Sequence, residues 1–188
     1  MQIILASASP RRQELIKEIT DNVLIIPADV DETIEEGICP KDSAEYLSKI
    51  KAMAVAKEHP ECVVIGCDTI VLLGDKILGK PKDKDDAREM IASLSGTIHY
   101  VITGCTIVLD DKIKSFSETT EVEFLQVSQE EIEEYINSDE PYDKAGGYAV
   151  QGEAGGFVKR IKGDYNNVVG LPVDRLRDEL NSFLGEII

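Results

Sequence analysis

The chain has 188 residues, 43% of them hydrophobic and 30% charged, the make-up of a single globular domain with a full core rather than a disordered or fibrous chain. Its formal net charge of −16 argues against nucleic acid or an anionic membrane surface as a partner, because the phosphates of both are repelled. Four cysteines and two histidines, with no C-x-x-C spacing and no Cys/His cluster, argue against a zinc site and read as reduced thiols, with Cys62, Cys67 and Cys105 in apolar runs.

The N-terminus shows no basic segment followed by a long apolar run, and no apolar stretch reaches membrane-spanning length, so a cytoplasmic protein is expected. Residues 2–6 predict a short β-branched strand. Ser9 is placed to cap a helix with Pro10 at its first position, and Leu15, Ile16 and Ile19 give that helix an apolar stripe. Residues 23–27 predict a second strand. A helix is expected from Asp42 to His59, stopped by Pro60, with Leu47, Ala54 and Val55 on one face and Lys51 on that same face.

CVVIGCDTIVLL, residues 62–73, is the most apolar run and predicts a central buried strand. Gly74-Asp75 turns it into a partner strand, KILG. Asp83 caps the next helix, which has acidic residues in its first turn and Gly96 at its end. Residues 97–109 and 113–125 alternate as strands around an Asp110-Asp111 turn. Ser128 and Glu131 form a capping box for SQEEIEEYINS. Residues 139–157, rich in Gly, Asp and Pro, predict a loop; FVKRIKG predicts a strand, and Pro172 opens the last helix. Alternating helices and strands with interspersed hairpins predict an α/β fold with a mixed sheet.

Certain residues stand out against this pattern. Asp68 interrupts a run that should be buried, so it must be hydrogen-bonded, paired or metal-bound; a carboxylate so placed is a candidate general base or metal ligand. Asp31-Glu32 offers a second carboxylate. Lys51 on an apolar helix face is either a snorkelling side chain or a cation of the site. Arg11 and Arg12, adjacent at a helix start, are placed to meet one anion together with the helix N–H groups. Gly74, Gly79 and Lys80 match G-x-x-x-x-G-K, but Pro81 follows where Ser or Thr is needed and KIL reads as a strand, so no P-loop is expected; Lys80 remains a point charge for a phosphate.

In order along the chain, LASASPRR, DET at 31–33, KIKAMAVA, GCDTIV, LGKPKD, LSG, VITG, EPYDKAGGYAVQG and GDYNNVVGLP resemble the Maf family of nucleotide pyrophosphatases. The resemblance implies one domain over 1–188, built as a two-lobed α/β structure with an elongated mixed sheet, flanking helices and a central cleft, similar to the inosine triphosphate pyrophosphatases. It implies hydrolysis of a nucleoside triphosphate to the monophosphate and pyrophosphate with a divalent cation, Mg²⁺ or Mn²⁺.

By the same resemblance Asp68 is the proton acceptor and Glu32 a second acidic residue, and either is a metal ligand. Ser7, Arg11 and Arg12 face the phosphates, and Lys51 and Lys80 are the cleft lysines. Arg12, Thr69 and Gln151 occupy the positions tied to base selection in the branch acting on dTTP and UTP, and a homodimer suits the family. The edge shared by uracil and thymine, acceptor–donor–acceptor, is one that the Gln151 amide complements. Removal of modified pyrimidine nucleotides and nucleotide-sensing control of cell division remain as alternatives.

Overall fold

The computed structural model describes residues 1–185 and shows a mixed α/β protein with a seven-stranded sheet. Strands β1 (Ile3–Leu5), β2 (Val23–Ile25), β3 (Val63–Leu73), β4 (Lys76–Leu78), β5 (Ile98–Leu109), β6 (Lys112–Phe124) and β7 (Val158–Lys162) alternate with helices α1 (Pro10–Leu15), α2 (Ser43–Glu58), α3 (Lys84–Leu94), α4 (Gln129–Ile136), α5 (Tyr165–Val169) and α6 (Val173–Gly185). The sheet order is β2-β1-β3-β5-β6-β7, with β4 also on β3. β1 runs parallel to β2 and β3, whereas β3–β4 and β6–β7 are antiparallel, so the mixed sheet expected from the sequence is present.

The chain divides into two compact units. The first comprises Met1–Thr69, Thr103–Glu118 and the segment from Gly170; the second comprises Ile70–Ile102 and Thr119–Val169. Residues of β3, β5 and β6 belong to both.

In the first unit the pleat sorts residues by parity. The side chains of Cys67 and Cys105 meet, as do those of Thr69 and Thr103. As the numbering rises along β3 it falls along β5, so these neighbours are antiparallel. Even-numbered residues Ile4, Ala6, Val64 and Val108 therefore share one face, where they pack with Ala52 and Val55 of α2. Odd-numbered Cys67 and Thr69 point to the other face.

Helix α2 lies close against the even face because two strand glycines admit it. A Cβ on Gly66 would stand 2.3 Å from the Ser48 carbonyl oxygen, and one on Gly104 would stand 2.3 Å from the Ala44 backbone. Glycine inside a strand marks this kind of approach.

Local capping follows the sequence. Ser9 Oγ accepts the Arg12 N–H with Pro10 at the first position, Asp83 accepts from Asp86 N–H, and Ser128 with Glu131 completes a capping box. Asp110 turns the β5–β6 hairpin at φ 50°. Element ends differ from expectation by a residue or two, as where β1 spans Ile3–Leu5, β2 stops at Ile25, α2 spans Ser43–Glu58 and α6 starts at Val173, and the 139–157 segment holds three short 3₁₀ turns. Helix α5 was not anticipated; five residues are too few to show a period. Ala54 is only half-buried; the buried face of α2 is Ser43, Ala44, Leu47, Ser48, Lys51, Ala52 and Val55. Cys62 is likewise half-buried, whereas Cys67 and Cys105 are buried.

The second unit has its own core, built on Val71, Leu78, Ile91, Leu94, Phe124, Tyr135, Ile136 and Tyr148. His99 is fully buried within it, its Nε2 2.6 Å from the Tyr148 hydroxyl and its ring edge-on to Phe124. Nδ1 has no hydrogen-bond partner. Burial lowers the pKa of His99 to about 4 from the ordinary 6.5.

Between those values the unfolded chain takes up a proton that the folded protein refuses. Stability is therefore complete above about pH 6.5 and falls as the pH drops toward 4. Going from pH 7 to pH 5, His99 is expected to cost about 2 kcal/mol of stability. Urea unfolding of the wild type and of His99→Gln at both pH values measures this; the variant should lose less, and equal losses would disprove it.

Candidate active site

The first unit brings Glu32, Lys51 and Asp68 together. Asp68 sits on the even face of β3, and Lys51 rises from the buried face of α2 against it. Lys51 Nζ donates to Asp68 Oδ1 at 2.6 Å and lies 3.1 Å from Glu32 Oε1. Lys51 and Asp68 are buried at 9% and 8% exposure, whereas the Glu32 side chain is 56% exposed. One end of the cluster is thus shielded from water and the other open to it.

Two sequence features bring it about. Glycine at 66 and 104 brings α2 near enough for Lys51 to reach the strand. The Asp31 carboxylate accepts both the N–H (2.9 Å) and the hydroxyl (2.6 Å) of Thr33, shaping the loop that carries Glu32. Those two bonds, the side-chain one foremost, lower the pKa of Asp31.

The odd face of β3 carries a separate network around Arg12. Its Nε donates to the Gly170 carbonyl (2.8 Å), one terminal nitrogen to the Cys67 carbonyl (3.0 Å) and Ser7 Oγ (3.4 Å), and the other to Thr69 Oγ1 (2.8 Å). Thr69 in turn meets Thr103 Oγ1 at 2.9 Å. The guanidinium fork matches several oxygen acceptors at once, so one side chain ties α1, β1, β3 and the turn before α6 together. Arg11, one position earlier, is half-buried and has no part in this network.

Cys67 Sγ and Cys105 Sγ lie 3.5 Å apart on the same face. Burial pushes the Cys105 thiol up, so Cys105 keeps its proton.

Of the residues singled out in the sequence, Ser7, Arg11, Arg12, Glu32, Lys51, Asp68 and Thr69 belong to the first unit, and Lys80 and Gln151 to the second. Lys80 is exposed between Gly79, whose carbonyl accepts the Gly146 N–H at 2.9 Å, and buried Pro81. KIL at 76–78 is strand β4, as the rejection of a P-loop requires. Gln151 is exposed in the segment between Tyr148 and the 3₁₀ turn Glu153–Phe157. Sequence reasoning missed Gly66, Gly104, Thr103 and the Gly170 carbonyl. Glycines inside two apolar strand runs were the available signal for the first pair; a carbonyl acceptor leaves none.

Among the described residues no group of three or more His, Cys, Asp or Glu could hold a metal ion, and no helix is long and apolar enough to cross a membrane. Two carboxylates are nevertheless focused on a single point, each giving one oxygen to Lys51. Asp68 and Glu32 are the residues that could hold Mg²⁺ or Mn²⁺, ions that bind through one or two carboxylates with water and substrate oxygens completing the shell.

The Maf-like protein family matches residues 2–183. A Bacillus cereus protein named dTTP/UTP pyrophosphatase is 46% identical over 182 residues, which is 97% of this chain and 95% of that one. A Thermosipho africanus protein of the same name is 49% identical over 180 residues, 96% of this chain and 92% of that one. Among solved structures, the Ham1 protein of Staphylococcus aureus superposes with a TM-score of 0.58 at 16% identity, covering 97% of this chain and 99% of its own. A HAM1 protein from Coxiella burnetii gives 0.59 at 13%, covering 99% of each chain. These two similarities concern the fold alone.

Removing Lys51 leaves the buried Asp68 carboxylate without its partner. Lys51→Met is expected to cost about 3 kcal/mol of stability, the usual penalty for breaking a buried pair. The double variant with Asp68→Asn should regain part of it, since no charge is left unpaired. Urea midpoints of the two variants measure both effects; a neutral Lys51→Met would show the pair to be structurally idle.

Proposed function

The chain belongs to the Maf family, and on that premise we propose that it hydrolyses dTTP and UTP to the nucleoside monophosphate and pyrophosphate. One observation carries the reading: Asp68 and Glu32 converge on Lys51, with Asp68 shielded and Glu32 open. A hydrolase needs a held carboxylate to take a proton from water, and this cluster offers one; the cations that meet the phosphates come from other residues.

In this reading Asp68 accepts the proton of the water that attacks the α-phosphorus. Lys51 holds that carboxylate in one orientation through the 2.6 Å contact. Ser7 and Arg11 supply a hydroxyl and a cation to the phosphates, and Lys80 supplies a further point charge. A divalent cation bound by Asp68 and Glu32 would polarise a phosphoryl oxygen.

Arg12 works differently from Arg11. Its guanidinium is already engaged by four protein oxygens, so it acts on base choice by holding Thr69 and the Gly170 turn in place. Gln151 reads the acceptor–donor–acceptor edge that uracil and thymine share. The 5-methyl group that separates thymine from uracil is worth only about 1–3 kcal/mol in a pocket, which agrees with both nucleotides being accepted.

Pyrophosphate release from the common triphosphates, with Mg²⁺ and with Mn²⁺, tests the activity directly; dTTP and UTP should lead the series. Asp68→Asn should lower kcat on dTTP by about 100-fold or more with urea unfolding still cooperative. Wild-type turnover in that variant removes Asp68 as the proton acceptor.

The two arginines should separate. Arg11→Ala is expected to raise KM for all triphosphates by a similar factor. Arg12→Ala should also change the ratio of pyrimidine to purine turnover and lower stability by about 2 kcal/mol, having lost a set of charged hydrogen bonds. The same KM and stability changes in both variants would refute this division of labour.

A further inference from the structure

The segment that carries Gln151 was expected to be loop, yet it is tied down at both ends inside the second unit. At one end the buried Tyr148 hydroxyl meets His99. At the other, the Glu140 carboxylate accepts two backbone N–H groups, that of Glu153 at Oε2 (2.8 Å) and that of Ala154 at Oε1 (3.3 Å). Oε1 also lies 3.2 Å from the Tyr135 hydroxyl, which stands 3.0 Å from the Gly147 carbonyl. Lys144 Nζ donates to the Glu140 carbonyl at 2.7 Å, steadying the residue's own backbone.

Gly152 makes the arrangement possible. Its φ is −108°, which any residue tolerates, so glycine is not needed there for its backbone conformation. What it supplies is space: an added Cβ would stand 2.2 Å from Glu140 Oε2. The carboxylate and the missing side chain are parts of one device. A carboxylate is an acceptor at every lone pair, and the groups converging on this one are donors. Only Ala149, Val150, Gln151 and Gly152 lie between the two anchors.

We propose that Glu140 is a positioning residue for base selection, its carboxylate capping the turn after Gln151 and thereby fixing the backbone from which that amide projects. The inference rests on the reading above in which Gln151 recognises the pyrimidine. Glu140 acts through Gln151 and does not itself meet the substrate. An amide at 140 would keep one acceptor and turn an NH₂ group against N–H or O–H donors, loosening the turn without altering volume.

The test is steady-state pyrophosphate release from dTTP, UTP, dATP and GTP by four proteins: wild type, Glu140→Gln, Gln151→Ala and the double variant. Glu140→Gln should raise KM for dTTP and UTP about tenfold, the scale of one lost charge-assisted hydrogen bond, and leave kcat within about twofold. Its pyrimidine-to-purine ratio of kcat/KM should fall by a similar factor. In the Gln151→Ala background Glu140→Gln should change that ratio no further.

An equal drop in kcat on every substrate, or a second full loss of selectivity in the double variant, makes Glu140 a structural residue and overturns the proposal. If Gln151→Ala alone leaves the ratio at the wild-type value, the pyrimidine reading of Gln151 fails first and the proposal with it. Gly152→Ala covers the case in which Glu140→Gln does not fold. It leaves Glu140 in the chain but displaces its carboxylate, and should show the same selectivity loss; unchanged selectivity there also overturns the proposal.

Discussion

The contact between Lys51 and Asp68 governs the first unit. Two opposite charges meet at 2.6 Å where α2 crosses the sheet, on the face that also carries Ile4, Ala6, Val64 and Val108. Neither charge is tolerable there alone. The helix must therefore sit low enough for the ammonium to reach the strand. That single requirement accounts for glycine at 66 and 104 and for the small residues Ser43, Ala44, Ser48 and Ala52 on the helix face.

The opposite face of the same strand meets another demand. There Arg12 reaches four oxygens contributed by residues as far apart in sequence as Ser7 and Gly170. Because the pleat sends Asp68 and Thr69 to opposite faces, neighbouring residues of one tetrapeptide, GCDT, serve two networks. The buried ion pair lies on one side, and the bonding that orders α1 and the turn before α6 on the other. A substitution at either position is felt on its own face first.

The second unit orders a glycine-rich segment by polar bonds as well as by the apolar packing of Tyr148 and Ala154. His99 with Tyr148, Tyr135 with Gly147, and Glu140 with Glu153 and Ala154 place hydrogen bonds along the stretch that composition assigns to a loop. Tyr135 and Tyr148 both have their phenol ionisation pushed upward by burial, so each keeps its proton. These bonds hold the backbone on either side of Gln151.

Much was legible in the sequence because it depends on local chemistry. Capping boxes, proline at helix starts, turn residues and the alternation of β-branched runs act over three to ten residues, and they located every strand and all helices but α5. The anomaly of Asp68 was legible for a similar reason: a carboxylate in an apolar run demands a partner whatever the fold. Which partner it has was decided only by tertiary structure. Lys51 is 17 residues from Asp68 and Glu32 lies 36 residues away, and nothing in their spacing dictates the meeting; the approach of α2, set by two glycines on different strands, does. The same holds for Arg12, two of whose four acceptors are backbone carbonyls without a residue signature, and for Glu140, whose carboxylate fits in space left beside it by Gly152. The sequence by itself determined which elements form and which charges needed partners; the tertiary structure chose those partners, because charge pairing acts through space at distances that only packing sets.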